Sequence, residues 1–479
     1  MNDRWNIIIV GAGTCGMAAA IFASRRNAKV LLLEGSGDIG GTLHISGGMM
    51  SAAGTKLQAK LGIKDSPQEH YDDVMRICRN TADPAVVRLA VDHAAATFDW
   101  LTDLGLPLVP QSPALTAGAH EPYTVRRYSW CPEFGRSVLK TIAPSFQAAV
   151  ATGNVTLKLR TKVTGLIQDP RTRAILGVRT EGADGAAEYL GSNIVLATGG
   201  YGANGAMMAE FHGTPLYAMG APVEAQGSGL NLGRSVGGFL KGAELYHGNF
   251  GTVLADYNYP SKIIGRALTM PEVRQPWEVY VDSEGNRFVR EDESSVDERE
   301  RALIGLPDRR YWIVFDSAIL KDAPPVMEFW SREQIEAALG HHPMFLRADT
   351  IEELARQGGM NAEKLARSIA AYNGALNGND PLGRKHRPRP ITKGPYYAIR
   401  QHCTTLVGTV GLAVDGQLRV IDRNLKPIQN LYAAGELLGS WATMGDSAAN
   451  GMMVTPALTF GRILGERLLQ WDSRRAAAE

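Results

Sequence analysis

The sequence predicts an α/β fold in which a parallel-sheet domain is discontinuous along the chain and an α+β domain is inserted into it. Three observations carry this prediction. The first fifty residues form a strand, glycine turn, helix and strand unit, residues from about 244 to 394 are richer in aromatic and charged side chains, and glycine-rich strand ends return after Pro395. A chain of 479 residues is also longer than one core ordinarily holds. The predicted parts are therefore 1–243, 244–394 and 395–479.

The N-terminal unit predicts a Rossmann-like nucleotide site. Asn6–Val10 is an apolar run typical of a strand buried on both faces, and Gly11–Gly16 follows it as GxGxxG. Met17 to Ser24 has helical character, and the second strand, Lys29–Leu33, ends in Glu34. The glycines permit a tight turn and a close approach of backbone N–H groups to a diphosphate, while the acid can accept a ribose hydroxyl. This unit predicts dinucleotide binding.

Further small-residue segments indicate a flavin dinucleotide. Asp38–Thr42 and Ser46–Met49 form a second loop, which a nicotinamide domain does not need. The apolar strand Asn193–Ala197 leads into another glycine turn, and a helix beginning near Val454 points its positive end at the site, where it would stabilise a reduced flavin. The predicted cofactor-binding residues are Gly11, Gly13, Thr14, Cys15, Gly16, Glu34, Gly35, Gly41, Thr42, Ser46, Gly47, Gly48, Met49, Val163, Thr198, Gly199, Gly200, Asn204, Gly435, Glu436, Met453 and Val454.

Composition excludes several other classes of function. A net charge of +1 gives no reason to expect nucleic acid or an anionic membrane as a partner. The chain has no apolar run of transmembrane length and no signal-peptide pattern. The four cysteines lie far apart in the sequence, and none has the spacing of a metal-binding or haem-attachment motif. We therefore expect no bound metal and a reducing, cytoplasmic location.

The order of motifs resembles the fumarate reductase/succinate dehydrogenase flavoprotein family, including its 3-ketosteroid and 4-oxocyclohexanecarboxylate dehydrogenase relatives. The matching segments are GAGTCG at 11–16, GGT at 40–42, SGG at 46–48, ATGG at 197–200, VYVD at 279–282, GNRF at 285–288, AAGE at 433–436 and TFGR at 459–462. The resemblance implies extended FAD, a capping domain over the substrate, and hydride transfer between flavin N5 and a substrate carbon. A protein acid or base handles a proton on the adjacent carbon.

Three positions depart from the fumarate-reducing members. The segment that carries their substrate histidines retains one, His402, and the segment that carries a carboxylate-binding arginine is Gly445–Asn450. Ser295 stands where their proton-donating arginine is expected, although Arg299 and Arg301 are near enough to take the role. Without these arginines the site lacks the bidentate groups that a dicarboxylate requires.

We therefore expect an FAD-dependent dehydrogenase that desaturates a cyclic ketone, either a small oxocyclohexane or a steroid, at its α,β positions. Residues 107–136 are irregular and read as an active-site loop or lid. A tyrosine of this loop would remove the α-proton, and an arginine would lower its pKa or hold a carboxylate. The predicted catalytic residues are Tyr123, Arg126, Arg127, Tyr128, Tyr259 and His402.

Two alternatives remain open, an enoate reductase running in the opposite direction and a flavin-binding protein without turnover. The electron acceptor is also open, because the sequence has no second dinucleotide fingerprint, haem site or cluster ligand set. Oxygen, a quinone and an electron-transfer protein all fit.

Overall fold

The computed structural model describes residues 4–116, 120–183, 185–213, 221–258, 261–405 and 407–476. The strands are β1 Trp5–Val10, β2 Val30–Leu33, β3 Met50–Ser51, β4 Tyr128–Ser129, β5 Val155–Lys158, β6 Thr161–Gln168, β7 Ile175–Gly182, β8 Gly185–Leu196, β9 Leu240–Lys241, β10 Val253–Leu254, β11 Ile263–Gly265, β12 Val279–Val281, β13 Arg310–Asp316, β14 Phe345–Ala348, β15 Tyr396–His402, β16 Gly411–Leu412, β17 Arg419–Ile421 and β18 Pro427–Ala433. The helices are α1 Thr14–Ser24, α2 Lys56–Lys60, α3 Pro67–Ile77, α4 Pro84–Asp103, α5 Gly135–Ala151, α6 Gly205–His212, α7 Ser228–Ser235, α8 Val296–Ile304, α9 Ser317–Asp322, α10 Arg332–Ala338, α11 Ile351–Gly358, α12 Ala362–Gly374, α13 Trp441–Met444 and α14 Val454–Ala476.

The main sheet confirms the predicted α/β fold. Its strands follow the order β17-β18-β8-β1-β2-β5, and β7 joins β8 to β6 in an antiparallel meander. Strands β18, β8, β1, β2 and β5 are parallel, so their carboxyl ends meet at one edge. At that edge Gly11 donates to the carbonyl of Leu33 and Ala197 to the carbonyl of Val10, which brings the glycine turns together. This is the edge at which open α/β sheets bind ligands.

Helices α1 and α14 approach closely on one face of the sheet. A Cβ at Gly461 would lie 2.3 Å from the carbonyl oxygen of Cys15, and one at Gly465 would lie 2.5 Å from that of Ala19. These two glycines, one turn apart, therefore allow backbone contact between the helices, which explains Gly461 of the TFGR segment. No helix in the described ranges is long and apolar enough to cross a membrane.

The inserted region contains a second, antiparallel sheet with the order β12-β13-β15-β14. Strand β15 pairs with β13 along its whole length, from Arg310 opposite His402 to Asp316 opposite Tyr396. Strand β15 begins just after the predicted limit at residue 394 and pairs with a strand of the inserted region, while the limit itself stays a prediction. The limit near residue 243 stays a prediction.

Candidate active site

A cleft of about 1040 Å³ runs from the carboxyl edge of the main sheet to the inserted region. Nineteen of the predicted cofactor-binding residues lie along its wall, all except Gly16, Gly200 and Asn204. They are Gly11, Gly13, Thr14, Cys15, Glu34, Gly35, Gly41, Thr42, Ser46, Gly47, Gly48, Met49, Val163, Thr198, Gly199, Gly435, Glu436, Met453 and Val454.

The three remaining residues support the cleft without lining it. A Cβ at Gly16 would lie 1.9 Å from the carbonyl oxygen of Gly11, so this glycine allows α1 to pack against the turn. A Cβ at Gly200 would lie 2.7 Å from Oε1 of Glu436. Asn204 caps α6, because its side chain accepts from the N–H of Met207 at 3.1 Å. Their contribution to cofactor binding is therefore indirect.

The cleft fits a dinucleotide that lies against backbone. A Cβ built on Gly13, Gly35 or Gly199 would meet no described atom within 4 Å, so it would project into space left for a ligand. The hydroxyl of Thr198 is buried without a hydrogen-bond partner in the described structure. Glu34 is held at the end of β2 by the N–H groups of Ala12, at 2.7 Å, and Ser36, at 2.8 Å.

One face of helix α8 lines the far end of the cleft, which we call the substrate chamber. Asp297, Glu300, Arg301 and Ile304 project there, at the i, i+3, i+4 and i+7 spacing of a helix face. Tyr246, His247, Met444 and residues 446–450 also line this end. The position that the resemblance assigns to a proton-donating arginine, Ser295, caps α8 by accepting from the N–H of Glu298 at 3.3 Å.

The chamber places a guanidinium beside carboxyl groups. Nη1 of Arg301 lies 2.9 Å from Oε1 of Glu298, Nε lies 3.6 Å from Oδ2 of Asp446, and Nη2 donates to the hydroxyl of Ser447. Arg301 therefore places a cation beside Gly445–Asn450, the segment in which the resemblance to fumarate reductases led us to expect an arginine. It approaches that segment from α8, in the inserted region.

Burial raises the pKa of Glu300 to about 8, and repulsion from Asp297 adds to this, against the opposing charges of His120, Arg299 and Arg301. The residue lies on the chamber wall and keeps part of its surface exposed, while neighbouring groups enclose its carboxyl. A carboxyl with this pKa exchanges a proton near neutrality, as a general acid or base requires.

Two buried side chains of the chamber have unused polar atoms. Neither the ring nitrogens of His247 nor the hydroxyl of Tyr246 makes a hydrogen bond of ordinary geometry within the described ranges, although the backbone of Gly445 lies near the ring and the thiol of Cys403 near the hydroxyl. Burial lowers the pKa of His247 to about 4, so the ring is neutral, and burial raises the pKa of Tyr246 well above its ordinary value. Both groups are available as neutral hydrogen-bonding partners for a ligand.

The sequence pattern of the FAD binding domain family matches residues 6–452. The chain belongs to this family. It is 29% identical over 469 residues to the probable fumarate reductase Ifc3 of Shewanella frigidimarina, covering 97% of this chain and 75% of that protein. The protein is thus an FAD-dependent oxidoreductase, as the motifs predicted, and it resembles a probable fumarate reductase over nearly its whole length.

Two solved structures share the fold of this flavoprotein. The open conformation of a flavocytochrome c3 fumarate reductase has a TM-score of 0.68 at 27% identity, covering 98% of this chain and 78% of that chain. The 3-ketosteroid Δ1-dehydrogenase of Sterolibacterium denitrificans, bound to 1,4-androstadiene-3,17-dione, has a TM-score of 0.72 at 20% identity, covering 98% and 100%. The two enzymes show that one architecture encloses different substrates.

In this flavoprotein the loop that contains Tyr123 to Tyr128 lies off the cleft wall. The Arg127 guanidinium is buried between Asp65, with Nη2 to Oδ1 at 2.7 Å, and Asp73, to which Nη1 donates. The hydroxyl of buried Tyr123 donates to the backbone carbonyl of Asn450. Strand β4, which includes Tyr128, pairs with β3. Ion pairs and strand pairing fix this segment, so it does not have the character of a lid.

None of the four predicted catalytic residues of this loop lines the cleft. Burial raises the pKa of Tyr123 and outweighs the lowering by the Arg127 guanidinium. Burial also raises the pKa of Tyr128 to about 12. Arg126 is exposed. These positions do not favour the predicted catalytic roles.

The other two candidates are also apart from the chamber. His402 lies in β15, off the cleft wall, where burial and the cations Arg400 and Arg310 lower its pKa to about 3. Tyr259 falls outside the described residues. The sequence analysis missed Tyr246, His247, Asp297 and Glu300; the helical spacing from Asp297 to Ile304 was visible, but a charged run gives no sign that its face is buried.

Proposed function

We propose that this FAD enzyme interconverts a saturated carbonyl compound and its α,β-unsaturated counterpart, and that a cyclic ketone is the substrate it desaturates. The chamber's charge carries the proposal. Arg301 is the one arginine among the described residues of the cleft wall, and Asp297, Glu300 and Asp446 line the same end. A dicarboxylate would meet these acids without a pair of free guanidinium groups, whereas a ketone, with at most one carboxylate, requires only neutral donors.

The residues of the chamber supply complementary roles. Bound FAD supplies the hydride acceptor or donor. In desaturation the Glu300 carboxylate removes the proton α to the carbonyl, and in reduction its carboxyl returns that proton. Tyr246 and neutral His247 can each donate a hydrogen bond to the carbonyl oxygen, which gains negative charge as the proton leaves.

The second candidate is an enoate reductase, which the likeness to a probable fumarate reductase supports. A pKa of about 8 also leaves Glu300 mostly protonated at pH 7, the form that donates. The two directions have opposite pH dependence. Desaturation needs the carboxylate, so its rate should rise through pH 8, whereas reduction needs the carboxyl, so its rate should fall there.

Anaerobic stopped-flow mixing tests the proposal. Oxidised enzyme is mixed with cyclohexanone, 4-oxocyclohexanecarboxylate and a 3-ketosteroid, and reduced enzyme with cyclohex-2-enone and fumarate. Bleaching of the flavin by a ketone, with a rate that increases with pH, is the expected result. Rapid reoxidation by fumarate with no bleaching by any ketone would contradict the proposal. Glu300→Gln should slow the reaction roughly 10²–10⁴-fold, and Glu363→Gln, on the exposed face of α12, is the matched control.

A further inference from the structure

A third side chain forms a cluster with Asp297 and Glu300, the two acids of α8 that line the chamber. One side-chain atom each of His120, Asp297 and Glu300 lies within 4.8 Å of the other two. Nδ1 of His120 is 3.3 Å from Oδ1 of Asp297, and the backbone N–H of Glu121 donates to Oδ2 of Asp297 at 2.9 Å. Asp297 therefore binds both the ring of His120 and the backbone of the next residue, Glu121.

The cluster extends from the chamber toward the protein surface. Asp297 and Glu300 line the chamber, but His120 does not. The His120 side chain nevertheless retains 20% of its exposure, and the next residue, Glu121, forms an ion pair with Arg76 in which both side chains are about 40% exposed. The imidazole therefore keeps some exposed surface although it lies off the chamber wall.

We propose that His120 is a proton relay between Glu300 and solvent, with Asp297 as its positioning residue. The inference rests on the proposed function, because it requires Glu300 to take a substrate proton. In desaturation the bond between the α-carbon and its hydrogen would break and Glu300 would gain the proton, while bound FAD would supply the acceptor for the hydride of the β-carbon. Glu300 then passes its proton to a neutral His120, which releases it to water. Reduction runs the same transfers in reverse, and no further reactant is needed.

The surrounding charges support a protonatable histidine. Burial lowers the pKa of His120, but the carboxyl groups of Asp297 and Glu300 outweigh that effect and the repulsion of Arg299, so its pKa is raised. Arg301 and the thiol of Cys403 also face Glu300, and His247 faces His120. The cationic imidazolium is therefore stabilised in position next to the acid that must release a proton.

The test measures two rates in the variant His120→Gln: the first flavin reduction, which reports the chemical step, and steady-state turnover, which also requires proton release. His341→Gln, at an exposed position, is the control. At a pH well above the Glu300 pKa of both proteins, the first flavin reduction should match the wild type, because Glu300 is then ionised in each. Steady-state turnover with a dye as electron acceptor should fall roughly tenfold or more at pH 7, and added imidazole should restore it. Unchanged turnover would overturn the relay. So would loss of wild-type turnover on adding EDTA, since the cluster would then hold a metal ion.

A second measurement needs no substrate and so distinguishes failure of the relay from failure of the proposed function. The carboxyl stretching band of Glu300, assigned by its loss in Glu300→Gln, is titrated by infrared spectroscopy in wild type and His120→Gln. Protonated His120 stabilises the carboxylate, so its removal should raise the pKa of Glu300. Identical titrations would show that the two groups are uncoupled and would overturn the relay even if ketones reduce the flavin.

Discussion

The guanidinium of Arg301, on α8 of the inserted region, donates a hydrogen bond to the hydroxyl of Ser447, in the segment before α14. Only 18% of the Arg301 side chain is exposed, and Asp446 lies beside it. A cation from the inserted region therefore contacts the second part of the FAD domain at the wall of the substrate chamber. This contact joins α8 to the segment before α14 at the site.

Replacing Arg301 by lysine keeps the charge but removes the planar fork. We expect KM for 4-oxocyclohexanecarboxylate to rise roughly tenfold, the cost of about one charge-assisted hydrogen bond. KM for cyclohexanone, which has no carboxylate, should change much less. Steady-state kinetics of Arg301→Lys and of the exposed control Arg367→Lys make the comparison. An equal increase for both ketones would mean that Arg301 only supports the fold.

Arg127→Met should destabilise the protein by about 3–5 kcal/mol, because Asp65 would lose its buried cation and Asp73 would keep only the partly exposed Arg76. Urea unfolding followed by circular dichroism measures the change. Arg356→Met, which breaks an exposed ion pair with Glu353, is the control and should leave the midpoint almost unchanged. A midpoint for Arg127→Met equal to that of the control would contradict the structural role assigned to this arginine.

Gly13→Ala and Gly16→Ala should separate cofactor binding from folding. A Cβ at Gly13 meets no described atom, so the apo-protein should melt at the wild-type temperature but bind FAD roughly tenfold or more weakly. A Cβ at Gly16 collides with Gly11, so that variant should lose about 1–3 kcal/mol of stability. Fluorescence titration of apo-protein with FAD and thermal melts provide the two readouts. Gly374→Ala, in open space on α12, controls for the added methyl group.

Tyr123→Phe and Tyr246→Phe should have opposite consequences. Removing the Tyr123 hydroxyl leaves the Asn450 carbonyl without its donor, so stability should fall by about 1–2 kcal/mol with little change in flavin reduction. Removing the Tyr246 hydroxyl should slow flavin reduction by roughly 10²-fold, as loss of an oxyanion donor does. Denaturant unfolding and stopped-flow reduction of both variants decide between them. Slow reduction by Tyr123→Phe with normal stability would restore that residue as a catalytic candidate.

The cofactor cleft could be predicted from the sequence because its requirements are local. The turn after β1 needs glycines at Gly11, with φ of +104°, and at Gly16, where no side chain fits. Strand, turn and acid occur within 34 residues, so their spacing alone brings them to one sheet edge. The cofactor, the enzyme class and nineteen residues of the wall followed from such signals.

The substrate chamber depends on contacts between distant parts of the chain. The segment from residue 120 to 130 is rich in aromatic and cationic residues. Asp65 and Asp73, about sixty positions earlier, neutralise Arg127, so this segment has a structural role. Glu300 becomes a candidate acid because the fold buries one face of α8 and brings His120 to it from about 180 positions away. The sequence by itself determined the FAD frame, since short-range steric rules fix it. Only the tertiary structure decided which ionisable groups are neutralised and which remain available for chemistry, because burial and long-range pairing set their charge.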